Sequence, residues 1–185
     1  MSVKINMKKN RDTIVKIMRV YISGKIGEEV ISEATRLKFA QAQEMLMTKG
    51  YEVFNPCDER WQRTLKREYD GDTYIQSPWL TGKFPDFYAY CLLRDLMVLS
   101  TKDAVYFLDD WDKSNGANAE YSFAVAAGKR LYFQDRHDAC EYLIERMYKE
   151  AKANGSPVEY ENLENRNDIE IAYFTKHIHE AWLPL

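Results

Sequence analysis

Short apolar blocks alternate along this chain with longer stretches of helical period. Met18–Ser23 (MRVYIS) reads as a strand that stops at Gly24. Glu28–Lys49 follows with helical spacing, carried by two stripes, Val30/Ala34/Leu37 and Phe39/Ala42/Leu46, and Gly50 closes it. Tyr51–Phe54 is a second strand cut by Asn55-Pro56, which completes a β-α-β unit of the parallel, right-handed kind. Asp86–Ser100 reads as a helix with Tyr88, Leu92, Asp95 and Leu99 on one face. Ala104–Leu108 (AVYFL) is a continuous apolar run, the pattern of a central parallel strand covered on both sides. A helix over Asn118–Ala127, a strand over Arg130–Phe133 and an amphipathic helix over Asp138–Ala153 come next. Ile171, Phe174, Ile178 and Ala181/Trp182 mark a C-terminal helix. The alternation predicts an α/β fold, a Rossmann-like layered sandwich with a mostly parallel sheet of four or five strands.

Three regions stand outside this pattern. Residues 1–17 carry five basic residues and one acid with no clean period, as a flexible basic arm does. Cys57–Pro85 is an irregular insertion whose Trp61, Tyr69, Tyr74 and Trp79 either stack on a planar ligand or pin the segment to the body. Residues 156–185 form a C-terminal extension, packed on the domain of residues 18–155 or on a neighbouring subunit.

Composition narrows the function classes. Of 185 residues, 26 are Lys or Arg and 29 Asp or Glu, a net charge of -3, which disfavours a nucleic-acid polymer as ligand. Cys57, Cys91 and Cys140 are odd in number and widely spaced, as reduced thiols are. No apolar run approaches the ~20 residues of a membrane span, and no signal-peptide core opens the chain. These features predict a soluble, cytoplasmic protein. There is no P-loop, Gly-x-Gly-x-x-Gly or Gly-x-Ser-x-Gly motif, and His177-x-His179 on a helix points two ways, so neither cofactor nor metal is expected.

Ligands of open parallel sheets bind beyond the carboxyl ends of the strands. Two loops lie there, Tyr21–Ile26 and Ser114–Glu120. Ser114 and Gly116 precede a helix, which makes either a modest anion site or an ordinary cap. Glu120 falls in the first turn, where it is either a charge opposing the helix dipole or, ionised at the sheet edge, a nucleophile for an anomeric carbon. Asp95, a carboxylate in an apolar stripe, is either an ion-pair partner of Arg94 or Lys102, or the second acid of one cleft. Tyr21 either orients the nucleophile or packs. Asp109, Asp110 and Asp112 crowd the end of the central strand, where they either repel a phosphate or contact sugar and base.

At YISGKI (Tyr21–Ile26), RDL (Arg94–Leu96), DAVYFL (Asp103–Leu108) and SNGANAEYSFAVAAGKRLYF (Ser114–Phe133) the chain resembles the nucleoside 2-deoxyribosyltransferase superfamily. The likeness extends to its domain-of-unknown-function members and to the 2'-deoxynucleoside 5'-phosphate N-hydrolases. The resemblance implies a five-stranded flavodoxin-like sheet, a homodimer or higher homo-oligomer, and a pocket completed by a neighbouring subunit. It implies that Glu120 forms a glycosyl ester, with Tyr21 and Asp95 positioning sugar and nucleophile. Ser23, Gly24, Lys25 and Ile26 of the first loop, with Asp109, Ser114, Gly116 and Asn118, would bind substrate. The expected activity is cleavage of the N-glycosidic bond of a 2'-deoxynucleoside or its 5'-monophosphate, by hydrolysis or by transfer to another base. The alternatives are a non-catalytic nucleotide sensor and a hydrolase of another N-ribosyl compound such as NAD. The insertion and the residues after Asn154 depart from the family pattern, and a fifth strand is not evident.

Overall fold

The structure is a computed structural model that describes residues 17–27, 30–71, 86–155 and 163–184, with side chains from 170 onward in the last stretch. The arm before residue 17, Tyr74 and Trp79 lie outside the described residues. Four parallel strands, β1 (Arg19–Ser23), β2 (Glu52–Phe54), β3 (Ala104–Phe107) and β4 (Arg130–Phe133), lie in the order β2-β1-β3-β4. The order reverses beside β1, so the crevice between the carboxyl ends of β1 and β3 is the topological switch point of a flavodoxin-like fold. Among the described residues the fifth place holds no full strand. A single parallel bridge, Phe133 to Trp182, occupies it, closed by Phe133 N–H to Ala181 O (2.6 Å) and Leu183 N–H to Phe133 O (2.9 Å).

Side-chain alternation assigns the layers. Val20, Ile22, Ala104 and Tyr106 face α1 (Glu33–Thr48) through its buried Phe39, Ala42 and Leu46. Tyr21, Val105, Phe107, Leu131 and Phe133 face the opposite layer. That layer contains α3 (Phe87–Ser100), α4 (Asn115–Ala126), α5 (Arg136–Ala153) and α6 (Leu163–His177), and Ala181 after α6 is fully buried in it. The C-terminal extension therefore packs on its own domain.

Several boundaries and faces differ from the sequence expectation. Helix α1 begins at Glu33, because Ser32 in extended conformation accepts the Thr35 N–H and caps it there. Val30 is 82% exposed and Leu37 57% exposed, so only the second stripe belongs to the core. Helix α4 begins three residues earlier than expected, with Ser114 as its cap, so Gly116 and Asn118 lie inside the helix. The insertion is not irregular throughout. Residues 59–70 form helix α2 (Glu59–Asp70), capped by Asp58 at its start and closed at Gly71. Trp61, Leu65 and Tyr69, four apart, share one face of α2, but the surrounding Arg60, Arg63, Lys66 and Arg67 mask that period. Tyr69 packs on Phe87 and Tyr90 and Trp61 on Phe54, so these two aromatics hold the segment to the body.

Candidate active site: a buried acid pair at the switch point

Tyr21 and Ser23 are two apart on β1, and both point into the α3–α4 layer. Helix α4 turns Ala117, Glu120 and Ala124 inward, and the two alanines are small enough to let it lie close against the sheet. Glu120 is thereby carried to the end of β1, where it is 7% exposed. The Tyr21 hydroxyl donates to Glu120 Oε1 at 2.6 Å and the Ser23 hydroxyl to Oε2 at 2.5 Å, so each carboxylate oxygen has its own donor. Gly24 follows at once, and a Cβ there would stand 2.8 Å from the Leu108 side chain, so glycine permits the close approach of the two loops.

Asp95 comes from α3, where it shares the buried face with Tyr90 and Leu99 and is 9% exposed. Its Oδ1 accepts the indole N–H of Trp61 at 2.8 Å. The ion-pair alternatives are not realised: Arg94 pairs with Glu68 at 3.0 Å and Lys102 approaches Glu52 at 3.8 Å. Among the described residues, no Lys, Arg or His pairs with either Asp95 or Glu120.

Two buried acids without a cation titrate high. Burial first, and the Asp95 charge second, push the Glu120 carboxyl up to about 8 against the pull of its two hydroxyl donors. Burial pushes Asp95 up to about 7, opposed by the Trp61 hydrogen bond and by the Arg94 charge. Between about pH 7 and 8 the pair holds about one proton, more often on Glu120 than on Asp95, and titrates as a unit. Tyr21 is held well above the ordinary phenol range by burial and by both acids, so it remains a hydrogen-bond donor.

Most of the remaining residues expected at the site make local contacts. The Ser114 hydroxyl accepts the Ala117 N–H at 3.3 Å. The Asn118 amide donates to the carbonyls of Asp112 and Ser114, both at 2.8 Å, tying the preceding turn to α4. Asp110 ion-pairs with Lys38 and accepts the Lys25 N–H at 3.2 Å, which staples the first loop to the end of β3. Ile26 packs on the α1 side, away from the acids, while Lys25 and Asp109 are exposed. Gly116 lies beneath Tyr88, whose hydroxyl would stand 3.2 Å from a Cβ placed there. Burial and the Glu120 charge raise the Tyr88 hydroxyl, which puts this half-exposed ring at the rim of the acid pair.

Trp61, Phe54 and Tyr88 are the residues that sequence reasoning did not assign to the site. Phe54 stacks on Tyr21 with ring centres 5.5 Å apart, and Trp61 meets Phe54 edge-on at 5.3 Å. The period of α2 contains the signal for Trp61, and the i, i+7 relation of Tyr88 to Asp95 contains the signal for Tyr88. Two shallow depressions, one on the outer face of α1 and one around Met18, Lys102 and Arg130, have neither of the two acids in their lining. The described residues contain no group of three or more His, Cys, Asp or Glu arranged to hold a metal ion, and no described helix is long and apolar enough to cross a membrane.

Residues 18–133 match the family described as a domain of unknown function (DUF4406). No curated protein and no solved structure matches the chain.

Proposed function

Since the chain belongs to the DUF4406 family, with the matched residues spanning more than half of it, we propose that it is an enzyme of the nucleoside 2-deoxyribosyltransferase-like superfamily. It cleaves the N-glycosidic bond of a 2'-deoxynucleoside or its 5'-monophosphate. The observation that carries this reading is Glu120, buried at the switch point with one hydroxyl on each oxygen and a second buried acid beside it. A carboxylate so held is immobilised for attack and shielded from water, and the second acid can hold the proton that the leaving base requires.

In the first step a Glu120 oxygen bonds to C1' as the C1'–N bond breaks. The base departs with the bonding electron pair and takes up the proton held by Asp95. In the second step water attacks C1', Asp95 accepts its proton, and the C1'–O bond to Glu120 breaks to release the sugar. A second base in place of water gives transfer. Tyr21 and Ser23 stabilise the Glu120 charge before attack and after release, and two inversions at C1' amount to retention. Tyr88 at the rim is placed to touch the sugar or the base. The amino end of α4 and the exposed Lys25 supply the positive potential for a 5'-phosphate.

The test is chromatography of free base released from each deoxynucleoside and deoxynucleoside 5'-monophosphate, with Glu120→Ala as control. Release from monophosphates alone supports the hydrolase on nucleotides, and exchange that needs a second base supports the transferase. Absence of release above the variant's level from every substrate overturns the reading in favour of a nucleotide sensor or a different N-ribosyl substrate.

A further inference from the structure

Helix α2 lies in the part of the chain that departs from the family pattern, yet among the described residues it supplies the one side-chain hydrogen bond made to Asp95. An indole N–H only donates, so Asp95 Oδ1 serves as its acceptor and Oδ2 is the better seat for a proton on Asp95. The Trp61 ring is itself held on two sides, edge-on by Phe54 at 5.3 Å and under the Arg94 guanidinium at 5.6 Å. Arg94 is held in turn by Glu68 of α2, which also accepts the Tyr90 hydroxyl at 2.7 Å. On its other side Phe54 stacks on Tyr21, the donor to Glu120. One indole thus hydrogen-bonds one acid and, through a single ring, packs against the donor of the other.

From this geometry we infer that Trp61 is a positioning residue of the acid pair: it holds the Asp95 carboxyl by one oxygen beside Glu120 and loosens the grip of Asp95 on the proton it gives up. The assignment of a reaction to that proton rests on the glycosidic reading above, whereas the coupling of Trp61 to Asp95 does not. The charged and titratable groups facing Asp95 are Cys91 and Arg94 on α3, Tyr21 on β1 and Glu120 on α4, with Glu68 behind Arg94 on α2. Burial raises the Cys91 thiol to about 12, so it stays neutral across the working range. Ionisation of Asp95 strengthens the indole hydrogen bond, and removal of the donor favours the protonated acid.

The experiment follows the indole N–H resonances of the full chain, labelled with nitrogen-15, from pH 5 to pH 9. Trp61→Phe identifies the Trp61 signal, and Asp95→Asn tests its partner. The expected result is one indole resonance that moves with a midpoint near 7, is missing in Trp61→Phe and no longer titrates in Asp95→Asn. In turnover, Trp61→Phe lowers kcat roughly tenfold with KM little changed, and the acid limb of its profile, near 7 in the native chain, moves to higher pH as Asp95 holds its proton longer. A Trp61 resonance that stays flat across the range overturns the inference, as does a Trp61→Phe pH profile that superimposes on the native one. If Trp61→Phe does not fold, the native titration with Asp95→Asn decides alone. A titrating indole in a protein that releases no base retains the coupling and overturns the glycosidic reading. Base release with a flat indole does the reverse.

Discussion

The two ends of the parallel sheet treat acidic side chains in opposite ways. At the amino end Asp103 meets Arg19 through a two-point pair at 3.1 Å, accepts the Arg19 N–H as well, and keeps partial access to solvent. At the carboxyl end Glu120 and Asp95 are buried together, hydrogen-bonded by two hydroxyls and an indole, with no cation among the described residues paired to either. An acid whose task is to hold strands together is stabilised by a cation and by water. A buried pair lacking both costs folding free energy, and such a cost is retained where proton chemistry needs it. The difference separates acids that stabilise this fold from acids that the fold must carry.

The largest expected effect is on turnover at the carboxyl end. Glu120→Ala should lower base release at least roughly a thousandfold, since among the described residues no other buried carboxylate has a hydroxyl on each oxygen to replace it. Asp95→Asn should cost roughly a hundredfold, the usual worth of a positioned proton donor. Its loss should be smallest with substrates whose base leaves readily without protonation, as a series of deoxynucleosides with graded leaving groups would reveal. Removing the phenol hydroxyl in Tyr21→Phe should cost roughly tenfold and raise the apparent value of Glu120 further, because one donor to the ionised form is gone.

The pH dependence follows from the pair. Attack needs Glu120 ionised and departure needs a proton on Asp95, the minority arrangement of the one-proton pair because Glu120 holds the proton more tightly, so kcat/KM should peak between about 7 and about 8 and fall on both sides. Stability runs differently. The folded-state value of Glu120 lies above its ordinary 4.5, so between about 4.5 and 8 the native state binds more protons than the unfolded chain. Stability contributed by this group therefore falls as pH rises through that window. Glu120→Gln removes the buried charge and should be more stable than the native chain by about 1–2 kcal/mol above pH 8, seen as a Tm gain of roughly 3–6 °C that shrinks toward pH 5. Thermal unfolding at several pH values measures it.

The smallest effect sharpens the contrast. Asp103→Asn should lower Tm by a few degrees at most, more at low salt than at high, and leave base release unchanged, as befits a surface ion pair remote from the acids. A change in turnover there would break the distinction between the two ends.

Much of the fold and one half of the site were legible in the residues themselves. The apolar run at Ala104–Leu108 and the blocks around it are strands and helices in the expected order, because period and length agree there with tertiary burial. Tyr21, Asp95 and Glu120 lie together at the expected edge, since strand alternation and the helical i, i+3, i+7 face of Ala117, Glu120 and Ala124 dictate their directions. Ser114 and Asn118 satisfy their own backbone, a local use of polar groups that spacing alone does not distinguish from ligand binding. For Trp61 the sequence leaves open whether it stacks on a ligand or pins the segment, and its bond to Asp95 is hidden for a different reason. Its helix buries little beyond Leu65 and is held by polar and aromatic contacts to α3 that exist only once both helices are in place. Likewise, the edge beyond β4 is completed by one bridge at Trp182, which no strand-length pattern announces.

The central claim is that Glu120 is a nucleophile, and its most direct test is mass spectrometry of the native chain quenched during turnover. The account predicts a single deoxyribosyl adduct that maps to the peptide containing Glu120, forms from every accepted substrate and is absent in Glu120→Ala. Base release without any adduct, accompanied by inversion at C1', or an adduct on another residue, would contradict it.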